Sequence, residues 1–194
     1  MSHVKLLAFV LLVAAIIPSA SVLGESKPRT KPLEVGDKAD DFTLHSLRGE
    51  KFGLYEHLKD GPIVLLVLRG FPGYQCPICT RQVSDYLEHA QQFAKLNAQV
   101  VMIYPGPSRE LQARAGEFLD EQVLPKNFHL LIDPDYEFTN QYALRWDEPR
   151  ETAYPSTFVF DRERTAKLAV ISHKHGGRTK ASDALKALRQ KSKE

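Results

Sequence analysis

Three short, predominantly apolar runs, separated by segments with helical periodicity, constrain the fold of this chain more than any other feature. The runs are Ile63–Leu68 (IVLLVL), Val100–Tyr104 (VVMIY) and Phe128–Ile132 (FHLLI). Because their β-branched and aliphatic residues leave no polar face, they are typical of strands covered on both sides. Apolar stripes at intervals of three and four residues predict helices at about 77–97 and from Ser108, which can act as an N-cap. This alternation predicts an α/β fold with a central sheet and helices on both faces.

The remaining segments extend this pattern on either side. We expect a strand in Asp41–Ser46, a turn at 48–50, a helical turn in Glu56–Lys59, a short helix in Tyr136–Leu144, strands in Thr157–Phe160 and Leu168–Ser172, and a final helix in Thr179–Gln190. A short charged turn joins the last two strands, so they must be antiparallel. The central sheet is therefore expected to be mixed.

Residues 1–24 have the layout of an export signal. Lys5 supplies a positive start, Leu6–Ile17 is an unbroken apolar run, and Pro18 and small residues follow. Cleavage after this segment predicts an exported protein, periplasmic or secreted. The alternative is an uncleaved membrane anchor, because the segment is uncharged from Leu6 to Gly24 and just reaches across a hydrocarbon core of about 30 Å.

The rest of the chain divides into an extended lead-in at 25–40, rich in Lys, Pro and Gly, and one domain at 41–194. Its charge is nearly balanced, with 26 Lys and Arg against 24 Asp and Glu. This balance does not favour a nucleic-acid partner, and we expect none. Two cysteines are too few for a disulfide scaffold or a four-cysteine zinc site. The function must therefore depend on a local motif.

Both cysteines belong to one tetrapeptide, Cys76-Pro77-Ile78-Cys79, between a predicted buried strand and a predicted helix. The carboxyl ends of such strands are where α/β folds place their chemistry. We expect Cys76 at the N-cap and Pro77 at the first helical position. There the free N–H groups and the helix dipole favour the thiolate, which is the nucleophilic form. Cys79 lies three residues further on the same helical face and is placed to resolve a mixed disulfide on Cys76.

Arg69 is the one ionised side chain between Gly61 and Tyr74, which makes it a candidate stabiliser of the thiolate. Zinc would need two further ligands, and the seven histidines offer no clearly suitable pair. His173 and His175 alternate at a strand end, where such side chains are usually solvated. A structural disulfide across so short a loop would stabilise the fold little. We therefore expect redox use of the cysteines, with no metal and no cofactor.

From about Val35 onward the chain resembles the thioredoxin-fold redoxins, in particular the alkyl hydroperoxide reductase/thiol-specific antioxidant (peroxiredoxin) branch. The resemblance rests on the order and spacing of four segments, which are DFTL at 41–44, GFPGYQCPIC at 70–79, LIDPD at 131–135 and YPSTFVFD at 154–161. It implies a thioredoxin-like fold for 41–194 and an antioxidant oxidoreductase.

Two branches of this superfamily imply different chemistry. Peroxiredoxins carry P-x-x-x-T-x-x-C, in which the last cysteine attacks peroxide. Pro72 and Cys79 match that pattern, whereas Cys76 replaces the threonine and Pro155 stands where the family has an arginine. Thioredoxin-like reductases carry a CxxC pair and a later proline that is usually cis. Cys76, Cys79 and Pro155 match these features, and Tyr154 would then offer backbone hydrogen bonds to a partner chain.

We therefore predict a thiol–disulfide oxidoreductase in which Cys76 attacks a protein or small-molecule disulfide, Cys79 resolves it and a thiol donor restores the pair. The close alternative is a thiol peroxidase, in which Cys79 forms a sulfenic acid with a hydroperoxide and Cys76 condenses with it. A remote alternative is a copper-binding assembly protein, although such redoxin relatives use a longer cysteine spacing and a histidine.

Overall fold

The computed structural model describes residues 27–120 and 122–190. The predicted export signal at 1–24, with its anchor alternative, lies outside the described residues. The elements in chain order are β1 (Thr43–Ser46), β2 (Lys51–Gly53), α1 (Leu54–Leu58), β3 (Ile63–Val67), α2 (Pro77–Glu88), α3 (Ala90–Lys95), β4 (Gln99–Gly106), α4 (Ser108–Leu119), β5 (Phe128–Pro134), α5 (Glu137–Gln141), β6 (Ser156–Phe160), β7 (Ala166–Ile171) and α6 (Ala181–Arg189). None of the helices in this part of the chain is long and apolar enough to cross a membrane.

One mixed sheet of seven strands has the order β2-β1-β5-β4-β3-β6-β7. β3, β4 and β5 pair in parallel, and β6 pairs antiparallel with both β3 and β7. The antiparallel pairing of the last two strands was expected from their short connection, and the α/β class with a mixed sheet is confirmed. β3 lies between β4 and β6, so the loop that follows it starts from an interior strand of the sheet.

Two apolar cores cover the two faces of this sheet. Val64 and Leu66 of β3 face the core that contains side chains of α2, α3, α4 and α6. Leu65 and Val67 face the other core, which contains side chains of α1 and α5. All five residues of β3 are buried, which explains the absence of a polar position in its sequence. Helices therefore lie on both faces, as predicted.

The single helix predicted at 77–97 is in fact two helices, α2 and α3, separated at His89. The His89 ring nitrogen Nδ1 is 2.7 Å from the carbonyl oxygen of Asp85, four residues earlier. The His89 backbone N–H instead donates to Tyr86 O, three residues earlier, at 3.1 Å. The chain therefore tightens at this point and leaves the regular α-helical pattern. Phe93 of α3 still packs in the same core as Tyr86, which is why the apolar periodicity continues across the break.

Other boundaries differ from the prediction for local reasons. β2 was not predicted, because its three residues are too few to show a period; its Phe52 pairs with Leu44 of β1 across the expected turn. β4 continues past Pro105, which was expected to stop it. The pairing of β3 with β4 ends at Ile103, so beyond that point only β5 borders β4. Ser108 is the first residue of α4 and not its N-cap, and its backbone N–H donates to Asp135 Oδ1 at 2.9 Å.

Candidate active site

The two cysteines lie where β3 passes into α2. Cys76 is the N-cap residue of α2 and Pro77 is its first residue, as expected from the sequence. Cys79 lies one turn further and faces the same core. Both residues are buried, with 3% and 1% of their surface exposed, and both are free thiols. The helix N-terminus therefore presents two sulfur atoms inside the protein.

The loop between β3 and α2 is held close to the sheet by a glycine. Gly70 has a φ of +67°, and a Cβ at this position would lie 2.0 Å from the carbonyl oxygen of Pro105. Only glycine permits both this left-handed conformation and this approach of the two chains. Just before α2, Gln75 accepts a hydrogen bond from the Tyr104 hydroxyl at 2.9 Å and donates one to Arg114 O at 2.8 Å. These contacts fix the loop on the side of Cys76.

The two sulfur atoms differ in their preference for a proton. The hydrogen bond from the Cys79 thiol lowers the pKa of Cys76 to about 5, against the effect of burial. The backbone N–H groups of Cys79 and Ile78 and the charge of Arg178 lower it further. The same hydrogen bond, together with burial, raises the pKa of Cys79 well above its usual value. At neutral pH the pair therefore holds one proton, on Cys79, and one negative charge, on Cys76.

Arg178 is the positive charge that reaches both sulfur atoms. Its Nη1 lies 3.4 Å from Cys79 Sγ, and its Nη2 lies 3.9 Å from Cys76 Sγ. Nη1 also donates to Gln82 Oε1 at 3.2 Å. The side chain of Gln82 in turn donates through Nε2 to Thr179 O, and the Tyr86 hydroxyl donates to the next carbonyl. Successive turns of α2 thus hold the segment that carries Arg178 over the cysteines.

Sequence reasoning missed Arg178 because it lies 99 residues from Cys79 along the chain. The only hint in the sequence is that Arg178 follows Gly176-Gly177. Two consecutive glycines predict a tight loop, but they do not predict that this loop brings Arg178 to the cysteines. The resemblance places Pro155 where peroxiredoxins have an arginine. In this chain a guanidinium reaches the sulfur atoms from another segment.

Arg69, the predicted thiolate stabiliser, contacts the sulfur through its backbone. Its N–H donates to Cys79 Sγ at 3.4 Å. Its guanidinium forms an ion pair with Glu151, with Nε 2.7 Å from Oε2, and also binds the Tyr74 hydroxyl and Arg150 O. Burial opposes the charge, but the hydrogen bonds to Glu151 and Tyr74 outweigh it and raise the pKa of Arg69. The Arg69 side chain therefore forms its ion pair with Glu151. The sequence did not single out Glu151 as a site residue.

Tyr154 and Pro155 occupy the start of the later strand, as the resemblance implied, but their peptide bond is trans. The Tyr154 ring stacks on Trp146, with 5.0 Å between ring centroids, and Trp146 lies 5.4 Å from the His175 ring. Pro155 is buried, and its carbonyl accepts the Ser172 N–H at 2.9 Å. The cis geometry usual in thioredoxin-like reductases is thus not found here.

Within residues 27–120 and 122–190, no group of three His, Cys, Asp or Glu side chains is arranged to hold a metal ion. The groups around the sulfur atoms are hydrogen-bond donors and a guanidinium. Such groups stabilise a sulfur anion and the negative charge that develops during its reactions. This arrangement therefore supports nucleophilic reactions of a cysteine thiolate.

Comparison with known proteins agrees with this fold and shows the family of the chain. The AhpC/TSA family profile matches residues 35–169. Peroxiredoxin Bcp of Bacillus subtilis is 27% identical over 137 residues, covering 68% of this chain and 80% of the relative. A Mycobacterium tuberculosis protein named among the peroxiredoxins is 30% identical over 159 residues, covering 81% of this chain and 97% of the relative.

Solved structures show the same relationship. The crystal structure of peroxidoxin BcpB from Mycobacterium tuberculosis superposes with a TM-score of 0.63 at 25% identity, covering 81% of this chain and 97% of that one. A yeast mitochondrial 1-Cys peroxiredoxin has a TM-score of 0.64 at 18% identity, covering 79% of this chain and 73% of that one, and supports the fold alone. The chain belongs to the AhpC/TSA family and is a peroxiredoxin-like oxidoreductase with a thioredoxin fold.

Proposed function

We propose that this protein is a thiol peroxidase in which Cys76 attacks a hydroperoxide and Cys79 then closes a disulfide with it. The observation that carries the proposal is the placement of two buried sulfur atoms at one helix N-terminus, with Cys76 at the N-cap and the Arg178 guanidinium over both. The relatives named peroxiredoxins support peroxide chemistry over general disulfide exchange. The trans peptide bond at Pro155 also departs from the thioredoxin-like pattern.

In the first step, the Cys76 thiolate attacks the terminal oxygen of the hydroperoxide. The S–O bond forms as the O–O bond breaks, so the sulfur loses two electrons and an alkoxide, or hydroxide from hydrogen peroxide, leaves. The Cys79 thiol is the adjacent proton source, and its proton converts the alkoxide into an alcohol. Cys76 is then a sulfenic acid, and Cys79 is a thiolate.

In the second step, Cys79 becomes the nucleophile. The leading cause of its raised pKa is the hydrogen bond to the Cys76 thiolate, which disappears when Cys76 is oxidised. The Arg178 guanidinium and the Arg69 N–H, each 3.4 Å away, remain to stabilise its negative charge. The Cys79 thiolate attacks the Cys76 sulfur, the S–S bond forms and hydroxide leaves. An external thiol donor then reduces the disulfide.

This order of attack reverses the roles that the peroxiredoxin pattern alone assigns. That pattern matches Cys79 to the attacking cysteine and leaves Cys76 at the threonine position. The hydrogen bond to Cys76 and burial, however, raise the pKa of Cys79 well above its usual value and so favour its protonated form at neutral pH. Cys76, at the helix N-cap, has the backbone N–H donors that an anion needs. The nucleophile is therefore the first cysteine of the motif.

The proposal is tested by offering the reduced protein two substrates with the same thiol reductant. We expect catalytic consumption of an organic hydroperoxide by the wild type and slow reduction of insulin disulfides. Cys76→Ser is expected to abolish hydroperoxide consumption, whereas Cys79→Ser should consume one equivalent and form a sulfenic acid. Fast insulin reduction with no hydroperoxide consumption would overturn the peroxidase assignment and favour disulfide exchange.

A further inference from the structure

Four residues near the cysteines are connected by hydrogen bonds through their side chains and backbone groups, and we call them the Glu151 network: Arg69, Glu151, His175 and Arg178. Arg69 and Arg178 each place a donor on Cys79 Sγ, one through a backbone N–H and the other through Nη1. Glu151 connects the two arms, because it binds Arg69 directly and reaches Arg178 through His175. The reaction steps above assign no part to this carboxylate.

Glu151 binds the first arm in a bidentate arrangement. Its Oε2 accepts from Arg69 Nε at 2.7 Å, and its Oε1 accepts from Arg69 Nη2 at 2.9 Å. Arg69 is only 2% exposed, so its charge would be unpaired in the interior without this carboxylate. The neighbouring Thr152 hydroxyl also donates to Arg69 O. The segment at 150–152 thus fixes the residue whose N–H faces Cys79.

Glu151 reaches the second arm through His175. Its Oε1 is 2.8 Å from His175 Nε2, and the His175 carbonyl accepts from Arg178 Nε at 3.0 Å. Burial would raise the pKa of Glu151, but the hydrogen bonds from Arg69 and His175 outweigh it and lower that pKa. The carboxylate therefore remains charged at neutral pH and ties the loop that carries Arg178 to Arg69.

We propose that Glu151 is a positioning residue that holds the Arg69 N–H and the Arg178 guanidinium together on Cys79. Its main effect is on the second step, because both arms contact the resolving sulfur at 3.4 Å, whereas Arg178 lies 3.9 Å from Cys76 Sγ. This effect on turnover rests on the proposed function, whereas the effect on Cys79 as an acid does not depend on it. Two other titratable groups lie near Cys79. One is the Tyr104 hydroxyl, and the other is the Cys76 thiol, which shares a hydrogen bond with Cys79 at the start of α2.

The proposal predicts a change opposite in sign to that of a simple charge effect. If Glu151 acted only as a nearby negative charge, its neutralisation would stabilise the Cys79 thiolate and lower the pKa of Cys79. If Glu151 holds the two donors in place, its neutralisation weakens both and raises that pKa. Glu151→Gln keeps the size of the side chain and so separates these two effects.

The experiment compares Cys76→Ser with Cys76→Ser/Glu151→Gln, in which Cys79 is the only thiol. The pH dependence of alkylation gives the pKa of Cys79 in each protein. We expect Glu151→Gln to raise it by about one unit, a roughly tenfold loss of thiolate at a given pH below the pKa. An unchanged or lowered pKa would overturn the proposal. Glu148→Gln is the matched control, since Glu148 is an exposed acid on the same segment and should leave the pKa unchanged.

A second variant and a second measurement guard against general disruption. His175→Ala breaks only the Arg178 arm, so we expect a shift of the same sign but smaller size. Trp146 is the single tryptophan of the chain and lies 5.4 Å from the His175 ring, so its fluorescence reports on this region. The second measurement uses this fluorescence in proteins that keep both cysteines. Glu151→Gln should slow disulfide closure about tenfold and slow peroxide attack less, because Arg178 lies farther from Cys76 Sγ than from Cys79 Sγ; equal slowing of both steps would contradict positioning. A failure of the peroxidase proposal would appear as no reaction with hydroperoxide, while the pKa result would still stand.

Discussion

The hydrogen bond between the two sulfur atoms should control the acidity of Cys76, and Cys79→Ala tests its contribution directly. This bond is the largest cause of the lowered pKa of Cys76, ahead of the backbone N–H groups and Arg178. A hydrogen bond to a charged group contributes roughly 1.5–3 kcal/mol. At about 1.4 kcal/mol per unit, its loss should raise the pKa of Cys76 from about 5 to about 6–7. At pH 6, the thiolate fraction would fall from roughly nine-tenths to between a half and a tenth.

The assay is the rate of Cys76 alkylation as a function of pH, in variants where Cys76 is the only thiol. Cys79→Ser is the matched control, because its hydroxyl can still donate to Cys76. We expect the alkylation midpoint to stay near 5 in Cys79→Ser and to move upward in Cys79→Ala. A midpoint that is the same in both variants would refute the argument, since it would show that the donated hydrogen bond does not set the acidity of Cys76.

Three further predictions concern the surroundings of the cysteines. Arg178→Gln should slow disulfide closure more than peroxide attack, because Arg178 lies closer to Cys79 Sγ than to Cys76 Sγ; equal slowing of both phases in stopped-flow Trp146 fluorescence would contradict this. Gly70→Ala should lower the free energy of unfolding in urea by about 2 kcal/mol or more, from backbone strain and the clash with Pro105 O. Gly49→Ala, with a comparable φ of +80° but no atom within 4 Å of the added Cβ, should cost less, and similar losses would refute the clash. Burial raises the pKa of Asp133 from 3.8 to about 6, so the folded state binds that proton more tightly and stability should fall as the pH rises from about 4 to about 6. Asp133→Asn should remove this decrease in urea unfolding, and its persistence in the variant would show another origin.

The parts of the site that follow from local sequence were predictable. A buried strand before the motif and an apolar stripe after it place Cys76 at the N-cap of α2 and Pro77 at its first turn. Continuous apolar runs identified β3, β4 and β5, because strands buried on both faces tolerate few polar residues. The break between α2 and α3 at His89 does not interrupt the apolar stripe. The sequence pattern therefore could not show that two helices are present.

The groups that the structure places around the sulfur atoms were not predictable, because they depend on contacts between distant segments. Arg178 reaches Cys79 because side chains of α2, including Gln82, and the contact of Glu151 with His175 hold its loop. Arg69 was selected for its charge, yet its charge is bound to Glu151, 82 residues away, and its backbone N–H contacts the sulfur. Hydrogen-bond partners of this kind carry no periodic signal in a single sequence.

The order in which the two cysteines react is the central claim, and the position of the first oxidation tests it most directly. Each single-cysteine variant, Cys79→Ser and Cys76→Ser, is mixed with one equivalent of hydroperoxide, and the sulfenic acid is trapped and located by mass spectrometry. We predict one trapped sulfenic acid on Cys76 in Cys79→Ser and none in Cys76→Ser. A sulfenic acid on Cys79 in Cys76→Ser, with an unreactive Cys76 in the other variant, would contradict the account and restore the roles that the peroxiredoxin pattern assigns.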